Sequence, residues 1–219
     1  MDLRFFKLYV VNSFRKMGMG KKAEPIRDQQ SPEETLRKLG VFRTADAIDA
    51  GVSQPTVSRL AMRGILIRLD HGLYHHRDTE IDLAAIDFIT ACARTGPDSV
   101  VGGLSALFHY GLIPQVPQQI WVLLPHTNRN KFPQYRIMRT NHDPKVGVNN
   151  EGTYRIVTIE RSIVEAFKYA SKLGYQTALT AARTALSEGK TSEEKMYETA
   201  KDLGLWPVMV RNWEAITTK

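Results

Sequence analysis

One cysteine, Cys92, is all the chain has. A disulfide framework is therefore excluded, a cysteine-built zinc site has too few ligands, and a buried, inert thiol is the default role. So little cysteine fits a reducing compartment, and the cytoplasm is the expected location. Long apolar runs are also missing, so no membrane span is expected. Phosphate-cradling loops are missing too. Gly102 and Gly103 stand together, but no P-loop lysine follows, and close packing is their expected use. The stretch from Gly103 to Leu107 lacks the closing glycine of a nucleophile elbow, and Ser105 has no ordered Asp and His behind it. A cap or packing role is expected for Ser105. No catalytic residue, cofactor or metal is assigned.

What the chain does have is positive charge. Its 219 residues carry a net +7, which favours a polyanionic partner, and its 42% hydrophobic share is ordinary for a globular protein. Residues 1–78 hold 14 Lys/Arg against 9 Asp/Glu, and residues 79–219 hold 16 against 14. The excess sits in the first part.

That part contains the most informative stretch, Phe42 to His75. Thr44 is placed to cap a first short helix, with Ala45, Ala47, Ile48 and Ala50 as its small apolar positions and Gly51 after it. Ser53 is placed to cap a second, and Pro55 fits its first turn. Val57, Leu60 and Ala61 share one face; Arg59, Met62 and Arg63 point away from it. Gly64 ends the helix. Residues 65–69 and 73–75 then pair as a hairpin around Asp70, His71 and Gly72. Two short helices, a turn and a hairpin make a winged helix-turn-helix, whose second helix suits the DNA major groove. The residues expected to bind DNA are Ser53, Gln54, Thr56, Ser58, Arg59 and Arg63 on the helix, with Arg68 and His71 on the wing.

The remainder reads as follows. Residues 1–30 are expected to be a flexible lead-in. An apolar run precedes its basic stretch, the reverse of a signal peptide, and Met17 and Met19 make the first sixteen residues readable as a misassigned start. Ser31-Pro-Glu-Glu opens a helix that ends near Gly40 and completes a winged domain, 31–78. Residues 79–219 form the second domain. Its expected helices are 83–94, 104–110, 159–169, 175–189, 192–203 and 206–216; its expected strands are 119–124, 135–139 and 154–158. Residues 143–152 are expected to be loop. The fold class is thus α+β: an N-terminal winged helix-turn-helix, then a mixed α/β domain with a helical tail.

Other constellations carry less. His75 and His76 are adjacent on a strand and so face opposite ways, a poor ligand pair; they are expected at the exit of the wing, in a solvated junction. Leu83, Ile86, Ile89 and Thr90 are assigned to one side of their helix. Glu160, Glu165 and Lys168 share a helix and imitate a metal-dependent nuclease set, but Glu165 and Lys168 also have the spacing of a surface pair. His109 is expected to be packed. Arg129, Lys131, Arg136 and Arg139, with His126, His142 and Lys145, form a second basic region: a phosphate or RNA surface, an acidic-partner surface, or a solvated face. Tyr197, Trp206 and Trp213 are expected in the core.

Three blocks are similar to one family. The first is GVFRTADAIDAGVSQPTVSRLAMRGILIRLDHGLYH, with its Arg63-Gly64 link and wing glycine Gly72. The second is VVGGLSALFHYGL, Val100 to Leu112, followed by the strand QIWVLLP. The third is VTIERSIVEAF, Val157 to Phe167. Together, from Gly40 to Phe167, the chain resembles the AbiEi antitoxins of type IV toxin–antitoxin systems, although that family more often has Asp at the place of Glu165. The resemblance implies a DNA-binding repressor of its own operon, acting in phage defence on operator inverted repeats. It also implies counteraction of a nucleotidyltransferase-like toxin, without a necessary stable complex. The alternatives are a winged-helix nuclease or a regulator with no toxin partner.

Overall fold

The computed structural model describes residues 31–142 and 145–218. The lead-in expected at residues 1–30 lies outside the described residues. Pro32–Lys219 make one compact unit.

Helix α1, Pro32–Leu39, starts with proline at a position that needs no intrahelical donor; its acidic residues lie in the first turn and its basic ones in the last, matching the helix dipole. It buries Leu36. Strand β1, Val41–Arg43, follows, then α2, Thr44–Asp49, and α3, Gln54–Met62. The hairpin is β2, Leu66–Asp70, and β3, Leu73–His76. The three strands form an antiparallel sheet in the order β1-β3-β2, with Val41 opposite His75 and Leu66 opposite His76. Leu36, Phe42, Ala47, Val52, Val57, Leu60, Ile65 and Leu66 make a single apolar core beneath these elements.

Both α2 and α3 close in the same way. The Val52 N–H donates to the Ala47 carbonyl at 2.8 Å and Gly51 N–H to Ile48 at 2.9 Å; Ile65 donates to Leu60 at 3.0 Å and Gly64 to Ala61 at 3.0 Å. These are Schellman closures, and each needs a left-handed residue just past the helix. Gly51 and Gly64 supply it, at φ +85° and +69°. In each case the next residue, Val52 or Ile65, folds back into the core.

Thr44 does not cap α2. Arg43 occupies the cap position, and the Asp46 carboxylate accepts from its backbone N–H at 2.7 Å and from its guanidinium. Thr44 instead points at the β2–β3 hairpin and donates to the Gly72 carbonyl at 3.4 Å. His75 and His76 are not solvated. Both are buried, and His76, 1% exposed, has Nε2 3.3 Å from Glu33 of α1. The exposed polar residues of the junction begin only at Arg77.

After a 3₁₀ turn, Leu83–Ala85, comes α4, Ile86–Thr95. Leu83 lies in that turn at 76% exposure rather than on the buried side, which consists of Ile89, Ala91, Cys92 and Thr95. Then come β4, Val100–Val101, α5, Gly103–His109, β5, Trp121–Pro125, β6, Arg136–Thr140, β7, Val148–Asn150, and β8, Arg155–Val157. They build a five-stranded sheet, β6-β5-β4-β8-β7, in which β5–β6 and β4–β8 are parallel. Strand β7 lies in a segment expected to be loop; it pairs antiparallel with β8. Gly102 and Gly103 allow α5 to lie hard against β5. A Cβ on Gly102 would fall 2.0 Å from Leu123, and one on Gly103 2.6 Å from the Trp121 ring. Ser105 is buried and accepts from the Trp121 backbone N–H at 2.9 Å, so it packs rather than caps.

The tail is helical: α6, Ile159–Lys168, α7, Ala170–Leu173, α8, Tyr175–Ser187, α9, Glu193–Asp202, α10, Trp206–Met209, and α11, Trp213–Thr217. The last stretch is not one helix; a 3₁₀ turn, Val210–Asn212, breaks it. The Asn212 side chain donates to the Val208 carbonyl at 2.8 Å, competing with the backbone ladder. The main core gathers β4, β5, β8 and α4 to α11, and Val41, Leu69 and Ile81 pack against it from the first sheet and the junction.

Candidate nucleic-acid interface

Helix α3 is divided by its own periodicity. Val57 and Leu60 face the core and are buried, an apolar contribution of roughly 1.5–3 kcal/mol each. Their burial fixes which residues turn outward. Ser53, Gln54, Ser58, Arg59, Met62 and Arg63 are all exposed, and Thr56 is half-buried. Met62 is 83% exposed, a large apolar side chain held in water between two arginines. No acidic residue lies in α3 or its caps.

At the start of α3, Ser53 is the capping residue by position, and its carbonyl accepts from Thr56 and Val57 N–H at 2.9 and 3.1 Å. Its hydroxyl makes no cap bond; it pairs with the Thr56 hydroxyl at 3.0 Å. Two small polar groups therefore stand together at the positive end of the helix dipole, where phosphate is favoured.

The tip of the β2–β3 hairpin is ordered by its own side chains. Arg68 donates from Nε to the Asp70 carbonyl at 3.1 Å, and its Nη2 lies 2.8 Å from His71 Nδ1. The Asp70 carboxylate accepts from the His71 N–H at 2.6 Å. It is also gripped from the second sheet's side: Arg94, at the end of α4, donates to Asp70 Oδ2 from Nε and Nη2, at 3.0 and 2.5 Å, and to the His71 carbonyl at 2.5 Å. The Arg94 guanidinium, then the His71 N–H, hold the Asp70 carboxyl below the usual carboxylate range. Arg94 was not singled out in the sequence. Its partner lies 24 residues earlier, and no spacing rule reaches that far.

The second basic region does not form one surface. In strand β6, Arg136 and Arg139 lie on opposite faces. Arg136 stacks over Trp121, 5.5 Å from the ring centroid. Arg139 bonds the carbonyls of Asn128 and Asn130 at 2.9 and 3.1 Å. Arg129 and Lys131 are exposed on the loop that Arg139 holds.

The nuclease-like set is also dispersed. Glu165 is not a surface partner of Lys168: it is 1% exposed and pairs with Arg161 at 3.1 Å inside α6. Glu160 accepts from the Thr191 hydroxyl at 2.7 Å, and Lys168 Nζ lies 2.7 Å from His142 Nε2. Among the described residues no three His, Cys, Asp or Glu side chains gather as a metal site, and no helix is long and apolar enough to cross a membrane. His109 is exposed but lies edge-on to Phe88 and Tyr110. Tyr197, Trp206 and Trp213 contact one another edge-to-face at 4.7 and 5.1 Å, with Tyr197 exposed and the tryptophans half-buried, so this trio caps the core instead of filling it. Cys92 is buried, and burial pushes its thiol up.

Two short helices joined at Gly51, an outward cationic helix face and a hairpin behind it thus occupy one segment. Residues 29–74 match the AbiEi antitoxin family of transcriptional regulators. The AbiEi match covers α1 to the start of β3, which is the part that holds α3 and the hairpin tip. The residues beyond 74 lie outside it. No curated protein matches the chain.

Proposed function

We propose that the chain is a DNA-binding regulator that represses its own toxin–antitoxin operon and counteracts a cognate nucleotidyltransferase-like toxin in the cytoplasm. Residues 31–78 would act as a winged helix-turn-helix, with α3 in the major groove and the β2–β3 hairpin as the wing. Residues 79–219 would carry the antitoxin and regulatory role. Its DNA-binding residues are Ser53, Gln54, Thr56, Ser58, Arg59 and Arg63, with Arg68 and His71 on the wing.

The observation that supports this reading best is the outward face of α3. It carries Arg59, Met62 and Arg63 into solvent with no acidic residue in the helix. A groove suits that set, since it offers thymine methyls to the methionine and guanine or phosphate to the arginines. One such module buries little surface, so two copies on an inverted repeat are expected.

Fluorescence anisotropy on DNA from upstream of the chain's own gene tests it. Arg59→Ala and Arg63→Ala should each weaken binding by about 1–3 kcal/mol if they reach bases, or flatten the salt dependence by about one unit of slope if they reach phosphate. Unchanged affinity and slope in both would sink the reading. Co-expression with a neighbouring nucleotidyltransferase-like gene tests the toxin part: growth should be restored by the full chain.

A further inference from the structure

We propose that the cleft between β1, the end of α4 and the β7–β8 turn is a binding site for a small organic anion, a polycarboxylate or a phosphate ester. The cleft has a volume of about 470 Å³. That falls within the roughly 300–1,000 Å³ of small-molecule sites and is too large for a lone ion. β1 and the start of α2 line it with Arg43 and Asp46, and the β7–β8 turn with Thr153, Tyr154 and Arg155. Cys92 of α4 lines it between them.

The class of ligand follows from the donors and acceptors on the lining. The acceptors are already engaged. Both Asp46 carboxylate oxygens accept from the Arg43 guanidinium, at 2.7 and 3.0 Å. The Asn150 side-chain oxygen accepts from the Gly152 N–H at 3.1 Å. The carbonyls of Pro97 and Ser99 accept from the Arg155 guanidinium, the second at 3.2 Å. That of Gly96 accepts from the Ser99 N–H and hydroxyl, at 3.1 and 2.6 Å.

Donors, in contrast, are in surplus. A guanidinium has five N–H groups, and each arginine spends two in these bonds. The Nη1 end of each, the Asn150 amide nitrogen and the hydroxyls of Thr153 and Tyr154 have no hydrogen-bond partner among the described residues. A ligand here must therefore bring acceptors. Asp46 is the one carboxylate among the described lining residues, against two arginines, so the lining keeps a positive charge. Carboxylate and phosphate meet both demands, and a guanidinium fork fits either. A cationic ligand would meet neither.

The donors are also held in place. Asp46 fixes Arg43, and the carbonyls of the 97–99 loop fix Arg155. The Tyr154 ring packs against Phe88, with centroids 5.8 Å apart. Burial raises the Tyr154 phenol, so it keeps its proton and donates. Such a site loses little side-chain freedom when it is filled.

The site does not depend on α3 holding DNA, and its test contains none. Cys92 is the chain's single thiol and is 8% exposed on the cleft, so its reaction with methyl methanethiosulfonate reports whether the cleft is open. Citrate and AMP are titrated to about 10 mM, about ten times a millimolar Kd, with adenosine and sodium chloride at matched ionic strength as controls. Citrate, AMP or both should slow the reaction saturably, about tenfold at about ten times Kd. Which of them does so separates a carboxylate from a phosphate ligand. Adenosine and chloride should leave the rate unchanged. Thr153→Trp puts a ring into the cleft and gives up no side-chain hydrogen bond among the described residues. It should abolish the slowing by either anion, and Thr153→Ser should keep it. Slowing by neither anion, by adenosine as much as by AMP, by salt alone, or undiminished in Thr153→Trp would each overturn the proposal.

Discussion

Arg161 and Glu165 are one turn apart on α6, and both side chains are 1% exposed. The guanidinium also donates to the Val146 carbonyl, whereas Glu165 Oε2 has no hydrogen-bond partner among the described residues. Burial pushes the Glu165 carboxyl up; Arg161 opposes that by charge and hydrogen bond, and Lys168 by charge. Removing one member of such a pair strands the other, at a cost of about 3–5 kcal/mol. Arg161→Met should therefore destabilise the protein by about that amount in urea unfolding at neutral pH. The variant's carboxyl is raised further still. A carboxyl with a raised folded pKa contributes most below its unfolded value of about 4.3 and loses that contribution as pH rises through the folded one. The gap between variant and wild type should consequently widen from about pH 5 to pH 8. A gap that narrows over that range would mean that the carboxylate is not stranded. None of this was legible in the sequence, where Glu165 and Lys168 had the spacing of a solvent-facing pair. Helical spacing says which residues are neighbours, not which face of the helix is covered.

Elements fared better where they were long or punctuated. Helix α3 begins beside Pro55 and stops at Gly64, and both signals act through the backbone alone, so no tertiary partner was needed to see them. The same logic gives a prediction. Among the described residues nothing lies within 4 Å of a Cβ on Gly64, so substitution there costs only conformation. Gly64→Ala should lower stability by about 1–2 kcal/mol, and Gly64→Asn by less, because asparagine tolerates the left-handed region. Equal losses in thermal melts would point to a clash instead. Strand β7 was not legible because its Asn149 and Asn150 belong to a stretch whose glycine and asparagine read as loop, and β1 because its three residues stand between Gly40 and the next helix. Their partners, β3 and β8, define them. The wing strands, in contrast, were marked out by Gly72 between two apolar runs.

At the level of the whole molecule, the sequence marked the winged segment off by its charge but carried no sign of how firmly it is attached. Val41 and Leu69 pack on the main core, and Arg94 is bonded to Asp70 across the junction. Burial shared in this way makes separate unfolding unfavourable. We expect one cooperative transition for Pro32–Lys219. All three tryptophans, Trp121, Trp206 and Trp213, belong to the part after the junction, so their fluorescence should follow that part, while the proposed DNA binding should follow the first. The two signals should decline at the same denaturant concentration; separated midpoints would show that the halves melt independently.

The Arg94 grip has a mechanical corollary. A reading head bolted to its chassis cannot swivel to suit whatever it meets, so the span from α3 to any second foothold on the body is a constant, like the jaws of a calliper. Such a tool gauges its object as well as holding it. On the proposed reading of α3, duplexes whose flexure matches the fixed opening are expected to bind at little elastic cost, and stiff tracts of the wrong bend to be rejected at base pairs that no side chain touches.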